Sequence, residues 1–155
     1  MPFRLCGIDP APFAALFELD EDALAQRGLA RCRADRDSGF PCRVSLADAR
    51  VGDELLLLPY AHQPAETPYR ASGPIYVRRD ARRAELAPGV VPPYVTRRLM
   101  SLRAYSAGHW MVDAEVCDGV DAARELARMF DDPAVAYVHL HNARRGCFSC
   151  AAHRA

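Results

Sequence analysis

No stretch of this sequence approaches the ~18 consecutive apolar residues that a membrane helix needs, and Leu55 to Leu58 falls far short of it. A membrane is therefore not an expected partner. The N-terminal segment Met1-Pro-Phe-Arg-Leu-Cys-Gly-Ile-Asp9 lacks the basic region and apolar core of a signal peptide, so a cytoplasmic location is expected. Net charge is missing too. Twenty basic and twenty acidic side chains cancel, which leaves no overall field to draw in nucleic acid. No glycine-rich phosphate loop, internal repeat, low-complexity segment or domain boundary is present. Six cysteines (6, 32, 42, 117, 147 and 150) in a chain without an export signal are read as reduced thiols rather than as three disulfides.

What remains is the material of one globular unit. Half of the 155 residues are hydrophobic and a quarter are charged, an ordinary balance that favours one buried core and a single domain over 1–155. Phe3 to Ile8 alternates as a strand. Two short N-terminal helices follow: Pro12 to Phe17 behind Asp9-Pro10, and a second one capped by Asp20, with Gly28 just past its end. Leu29 to Ala34 returns as a strand. The four leucines of Glu54 to His62 indicate a central strand covered on both faces. Pro59 has no amide proton, so that strand is expected to be broken, bulged or at an edge by then, with Tyr60 and His62 displayed at its end.

Leu99 to Tyr105 and His109 to Cys117 are predicted to form a hairpin around Ser106-Ala-Gly108, with Gly108 left-handed. That register sets Tyr105 opposite His109, Arg103 opposite Met111 and Ser101 opposite Asp113. It gives one apolar face and one face carrying Arg103, Tyr105, Asp113 and Glu115, with Arg103 and Asp113 as an ion pair. The clearest helix spans 118–130, where Ala123, Leu126, Ala127 and Phe130 recur at helical spacing. The last strand sets Ala136, Val138 and Leu140 on one side and Tyr137, His139 and His141 on the other. Strand pairs interrupted by helices define an α+β fold with a mainly antiparallel mixed sheet.

The densest chemistry is Tyr137-Val-His-Leu-His-Asn142 followed by Gly146-Cys-Phe-Ser-Cys150. His139, His141, Cys147 and Cys150 are ligand types that zinc prefers. In a strand, however, Cys147 and Cys150 face opposite ways, and only a tight turn would join them. His62 with His139 and His141 is a second possible ligand set, and no metal or cofactor is assigned. Cys147 could act as a nucleophile if a histidine took its proton and Asn142 oriented that base. Arg43, Arg70 and Arg103 are candidate forks for a carboxylate or phosphate. Cys6, Cys32, Cys42 and Cys117 read as packing residues, and His109 and His153 as exposed ones.

Several stretches carry a further signal together: Gly39-Phe-Pro-Cys-Arg-Val-Ser-Leu46, Leu58-Pro-Tyr-Ala-His-Gln-Pro64, Pro68-Tyr-Arg-Ala-Ser-Gly-Pro-Ile-Tyr76, Ser101-Leu-Arg-Ala-Tyr105, Met111-Val-Asp113, and Tyr137 to Asn142 with Gly146-Cys-Phe148. Over nearly the whole chain they resemble the bacterial domain-of-unknown-function family 1203. The resemblance implies a cytoplasmic protein of similar length without an assigned activity. Cys150 lies outside that family's pattern, which moves weight from a four-ligand zinc site to Cys147 alone.

The combined expectation is a pocket lined by His62, Tyr69, Arg103, Asp113, Tyr137, His139, His141, Asn142 and Cys147 that takes a small polar or anionic molecule. If the pocket does chemistry, His139 or His141 is the base, Arg103 the anion clamp and Cys147 the nucleophile. The alternatives are a ligand-sensing or zinc-binding structural domain, and a nucleotide-dependent group transferase. Oligomeric state is left open.

Overall fold

Alternating residues pair into ten strands, and these divide between two five-stranded sheets rather than one. The computed structural model describes all residues, 1–155. The first sheet has the order β1 (Phe3–Cys6), β10 (Phe148–Arg154), β9 (Tyr137–Asn142), β7 (Leu99–Tyr105) and β8 (Met111–Asp118). The second has β2 (Ala30–Arg33), β5 (Glu54–Gln63), β6 (Ala71–Arg78), β3 (Pro41–Cys42) and β4 (Ala47–Asp48). Every pairing is antiparallel except the single β3–β6 bridge, so the α+β class and the mainly antiparallel mixed pairing both hold. No helix is long and apolar enough to cross a membrane.

Each sheet has its own core. On the first, Leu102, Ala104, Val138, Leu140 and Cys150 pack under α3 (Ala122–Asp131), which buries Ala122, Leu126, Met129 and Phe130. On the second, Leu56, Leu58, Ile75 and Val77 pack with Phe13 and Phe17 of a 3-10 turn and with Leu24 of α1 (Glu21–Gln26). The Asp20 side chain caps α1 by accepting from the Ala23 amide at 2.8 Å. The helix expected from residue 118 begins at Ala122, because Gly119–Asp121 forms a separate 3-10 turn. That turn runs so close to α2 (Pro93–Thr96) that a Cβ on Gly119 would lie 2.0 Å from the Val95 carbonyl oxygen.

The leucine run is central as expected, with β5 flanked by β2 and β6. It does not break at Pro59, which pairs with Pro74 where β2 has already ended at Leu57. Two prolines facing each other forgo the same rung of the ladder without stranding a donor. The irregularity comes just after, between Tyr60 and Gln63. A bulge there frees His62 from strict strand alternation.

The β7–β8 hairpin departs from its expected register. Its loop is longer, with the Ser106 amide donating to the Trp110 carbonyl at 2.8 Å. The left-handed residue is His109 (φ 64°), not Gly108. Arg103 consequently pairs with Ala114 and Ala104 with Asp113. Asp113 therefore shares a face with the helix-covered residues, and its carboxylate accepts from Arg128 of α3 at 3.1 Å. The expected Arg103–Asp113 pair does not form, because alternation puts the two side chains on opposite faces.

Candidate functional site

His139 and His141 lie two apart on β9, so strand geometry sends both to the face of the first sheet away from α3. His62 reaches them from the second sheet. Its ring lies edge-on to His141 at 4.9 Å and to His139 at 6.2 Å between centroids. Phe148 stacks on His62 at 5.5 Å with an interplanar angle of 4° and meets both other histidines edge-on. One ring nitrogen from each of the three histidines lies within 4.8 Å of those of the other two. His139 and His141 are 7% and 1% exposed.

The polar atoms of this cluster are poorly satisfied. His62 Nδ1, His139 Nδ1 and His141 Nε2 are buried without a hydrogen-bond partner in the protein. His141 Nδ1 lies 2.9 Å from the Gly146 carbonyl oxygen, which fixes the proton on Nδ1 and leaves Nε2 as a bare lone pair. Burial, then repulsion from His141 and His62, pushes His139 down to about 3. Burial also pushes His141 down to about 4, aided by the Arg103 charge, against the opposing pull of the Gly146 bond. His62 is lowered for the same two reasons, burial and Arg103. All three rings are thus neutral donors at physiological pH.

Beside this cluster lies a cavity of about 890 Å³ whose lining includes His62, Asn142 and Cys147. Five arginines border it (Arg43, Arg97, Arg98, Arg144 and Arg145) with one carboxylate, Asp118. Arg98 is neutralised by Asp48 at 2.5 Å. Arg43, only 2% exposed, donates to the carbonyls of Phe148 (2.8 Å) and Pro41 (2.6 Å) and meets no acid. Arg97, Arg144 and Arg145 take part in none of the ion pairs. A second cavity of about 610 Å³ is lined by His62, His139, Tyr137, His153 and Arg83 among others. His62 thus lines both spaces.

The chain belongs to the DUF1203 family. The family described as protein of unknown function (DUF1203) matches residues 39–154. No curated protein and no solved structure matches the chain. The DUF1203 match covers β3 through β10 and with them every residue of the histidine cluster and the arginine-lined cavity.

Of the residues singled out in the sequence, His62, His139 and His141 converge, and Asn142 and Cys147 line the larger cavity. Tyr137 lines the smaller one, with its hydroxyl 2.8 Å from both Gln63 Nε2 and His109 Nδ1. Arg103 pairs with His139 in the β7–β9 register but lines neither cavity. Tyr69 packs against Tyr105 and Trp110, away from both spaces, and Asp113 lies on the other face of its sheet. The Cys147 thiol accepts from the Asn142 amide at 3.5 Å and has no histidine partner. Cys150 is fully buried in the core under α3, and its thiol is pushed up to about 12 by burial. The sequence reading overlooked Arg97, Arg98, Arg144 and Arg145. Their signal was the doublet itself, in the turn after α2 and in the basic turn between Asn142 and Gly146.

Proposed function

We propose that this protein binds a small anionic molecule, one bearing phosphate or carboxylate groups, in the arginine-lined cavity. The observation that carries this reading is the imbalance of charge there: four arginines without an acidic partner (Arg43, Arg97, Arg144 and Arg145) against one lining carboxylate, Asp118, in a chain whose net charge is zero. A buried cation is costly without a counter-charge, and the hydrogen-bond partners of Arg43 are neutral carbonyl oxygens. An anion in the cavity supplies the missing charge and takes the planar, paired hydrogen bonds that guanidinium groups offer. The volume suits a metabolite-sized ligand, since such pockets are typically about 300–1,000 Å³. Asn142, Cys147 and His62 add neutral polar groups on the wall.

Calorimetric titration with inorganic phosphate, pyrophosphate and citrate at low salt tests the reading. Saturable one-to-one binding of at least one probe is expected. Combined Arg97→Ala, Arg144→Ala and Arg145→Ala substitution should weaken it by about tenfold or more. These side chains are exposed or border solvent, so their loss leaves the folded chain intact. Absence of saturable binding to the wild-type chain, or unchanged affinity in the triple variant, overturns the proposal.

A further inference from the structure

We propose that His62, His139 and His141 together hold one divalent cation of the zinc class. The three ring nitrogens lie within 4.8 Å of one another. Tetrahedral zinc, with Zn–N bonds of about 2.0–2.1 Å, sets its ligand nitrogens about 3.4 Å apart. Small rotations of the rings close the remaining gap, and His62 lies in the irregular stretch of β5 between Tyr60 and Gln63.

Several features point to a ligand here. Each histidine buries a nitrogen with no partner in the protein. A buried polar atom left unsatisfied forfeits its hydration without recompense, so three in one cluster are a poor way to fill a core. His141 is also bonded as ligating histidines are, with one nitrogen bound to the Gly146 carbonyl and the other left without a partner. Finally, the stacked Phe148 ring and the two sheet backbones hold the rings in place before any ion arrives. Imidazole nitrogen without thiolate or carboxylate favours zinc, copper, nickel or iron over magnesium and calcium.

The surroundings decide what completes the shell. No carboxylate takes part, and Arg103 and Arg43 add positive charge nearby. An ion held by three neutral ligands leaves its remaining position to water, hydroxide or an anionic ligand group. His62 borders both cavities, so the ion is open to solvent rather than sealed. Three histidines with one exchangeable position is the arrangement of catalytic rather than structural zinc.

The test uses the full-length chain, stripped with chelator, then equilibrated with Zn²⁺ alone and, separately, with Co²⁺. Metal uptake is read without added phosphate or carboxylate, so this result does not depend on that of the preceding proposal. One zinc per chain is expected, together with visible Co²⁺ bands of four- or five-coordinate nitrogen and oxygen ligation. His62→Gln, whose side chain is half-buried, should lose both while keeping the circular dichroism and urea midpoint of the metal-stripped wild type. His109→Gln and His153→Gln should keep both. Three results overturn the proposal: no uptake by the wild-type chain, undiminished uptake by folded His62→Gln, or the charge-transfer absorption of a thiolate ligand.

Discussion

His62 and His141 come from different sheets, yet their rings meet edge to face at 4.9 Å and 83°. The contact joins two layers whose cores are otherwise separate, and it does so with groups that stay neutral. That neutrality makes stability depend on pH. With no ion bound, burial pushes His139 down to about 3 and His141 down to about 4, against 6.5 for an unperturbed histidine. Below pH 6.5 the unfolded chain takes up protons that the folded rings refuse. Stability is therefore full above that value and falls as pH drops toward 4, by about 1.4 kcal/mol per pH unit for each histidine. Urea unfolding at pH 8, 6 and 5 measures it. A midpoint that does not move between pH 8 and 5 would show that the rings protonate freely in the folded state.

The hairpin offers a sharper check on side-chain placement. Asp113 bonds to Arg128 on α3 and not to Arg103, whose own Nε lies 3.4 Å from Ser101 Oγ. A double-mutant cycle on Asp113 and Arg103 should give a coupling within about 0.5 kcal/mol of zero. The cycle on Asp113 and Arg128 should give a favourable coupling of about 0.2–1 kcal/mol, the range for a solvent-exposed pair. The reverse order of couplings would restore the register expected from the sequence.

That register shows where sequence reading runs out. Alternation along one strand is a local property, so the common face of Tyr137, His139 and His141, and the separation of Cys147 from Cys150, were legible. The offset between two strands depends on the loop. Ser106 to Trp110 adopts a longer turn with His109 left-handed, and this one feature moves Asp113 to the opposite face. Which sheet a strand joins is less local still. His62 was expected near the β9 histidines within one curved sheet, but it arrives from a second sheet, and the arginine doublets become a cavity wall only because those layers meet.

Gly119 sits where the 3-10 turn before α3 presses on α2. A Cβ there would lie 2.0 Å from the Val95 oxygen and 2.6 Å from that of Arg98, both backbone atoms that cannot step aside alone. Gly119→Ala should therefore destabilise the fold by about 1–3 kcal/mol through overpacking. A thermal or urea transition measures this, and an unchanged midpoint would mean that α2 can retreat freely. Gly28→Ala is the contrasting control: open space surrounds its Cβ position, and its φ of +74° supplies the only strain.

The two cysteines after β9 should differ chemically as they differ in position. Cys147 borders the large cavity, and its only hydrogen-bond partner is Asn142. Cys150 lies fully buried beside Leu140 and Ala152, with its thiol raised to about 12. Alkylation requires both access and thiolate, so iodoacetamide at neutral pH should modify Cys147 in the folded protein and spare Cys150 until the chain unfolds. Peptide mass mapping before and after adding denaturant reads the order directly. Occupancy of the cavity by an anion should slow the Cys147 reaction without touching Cys150, because only Cys147 shares a wall with the arginines. Equal labelling of both cysteines in the native state would mean that β10 detaches from β9 on the timescale of the reaction, and with it the wall that carries Phe148 against His62.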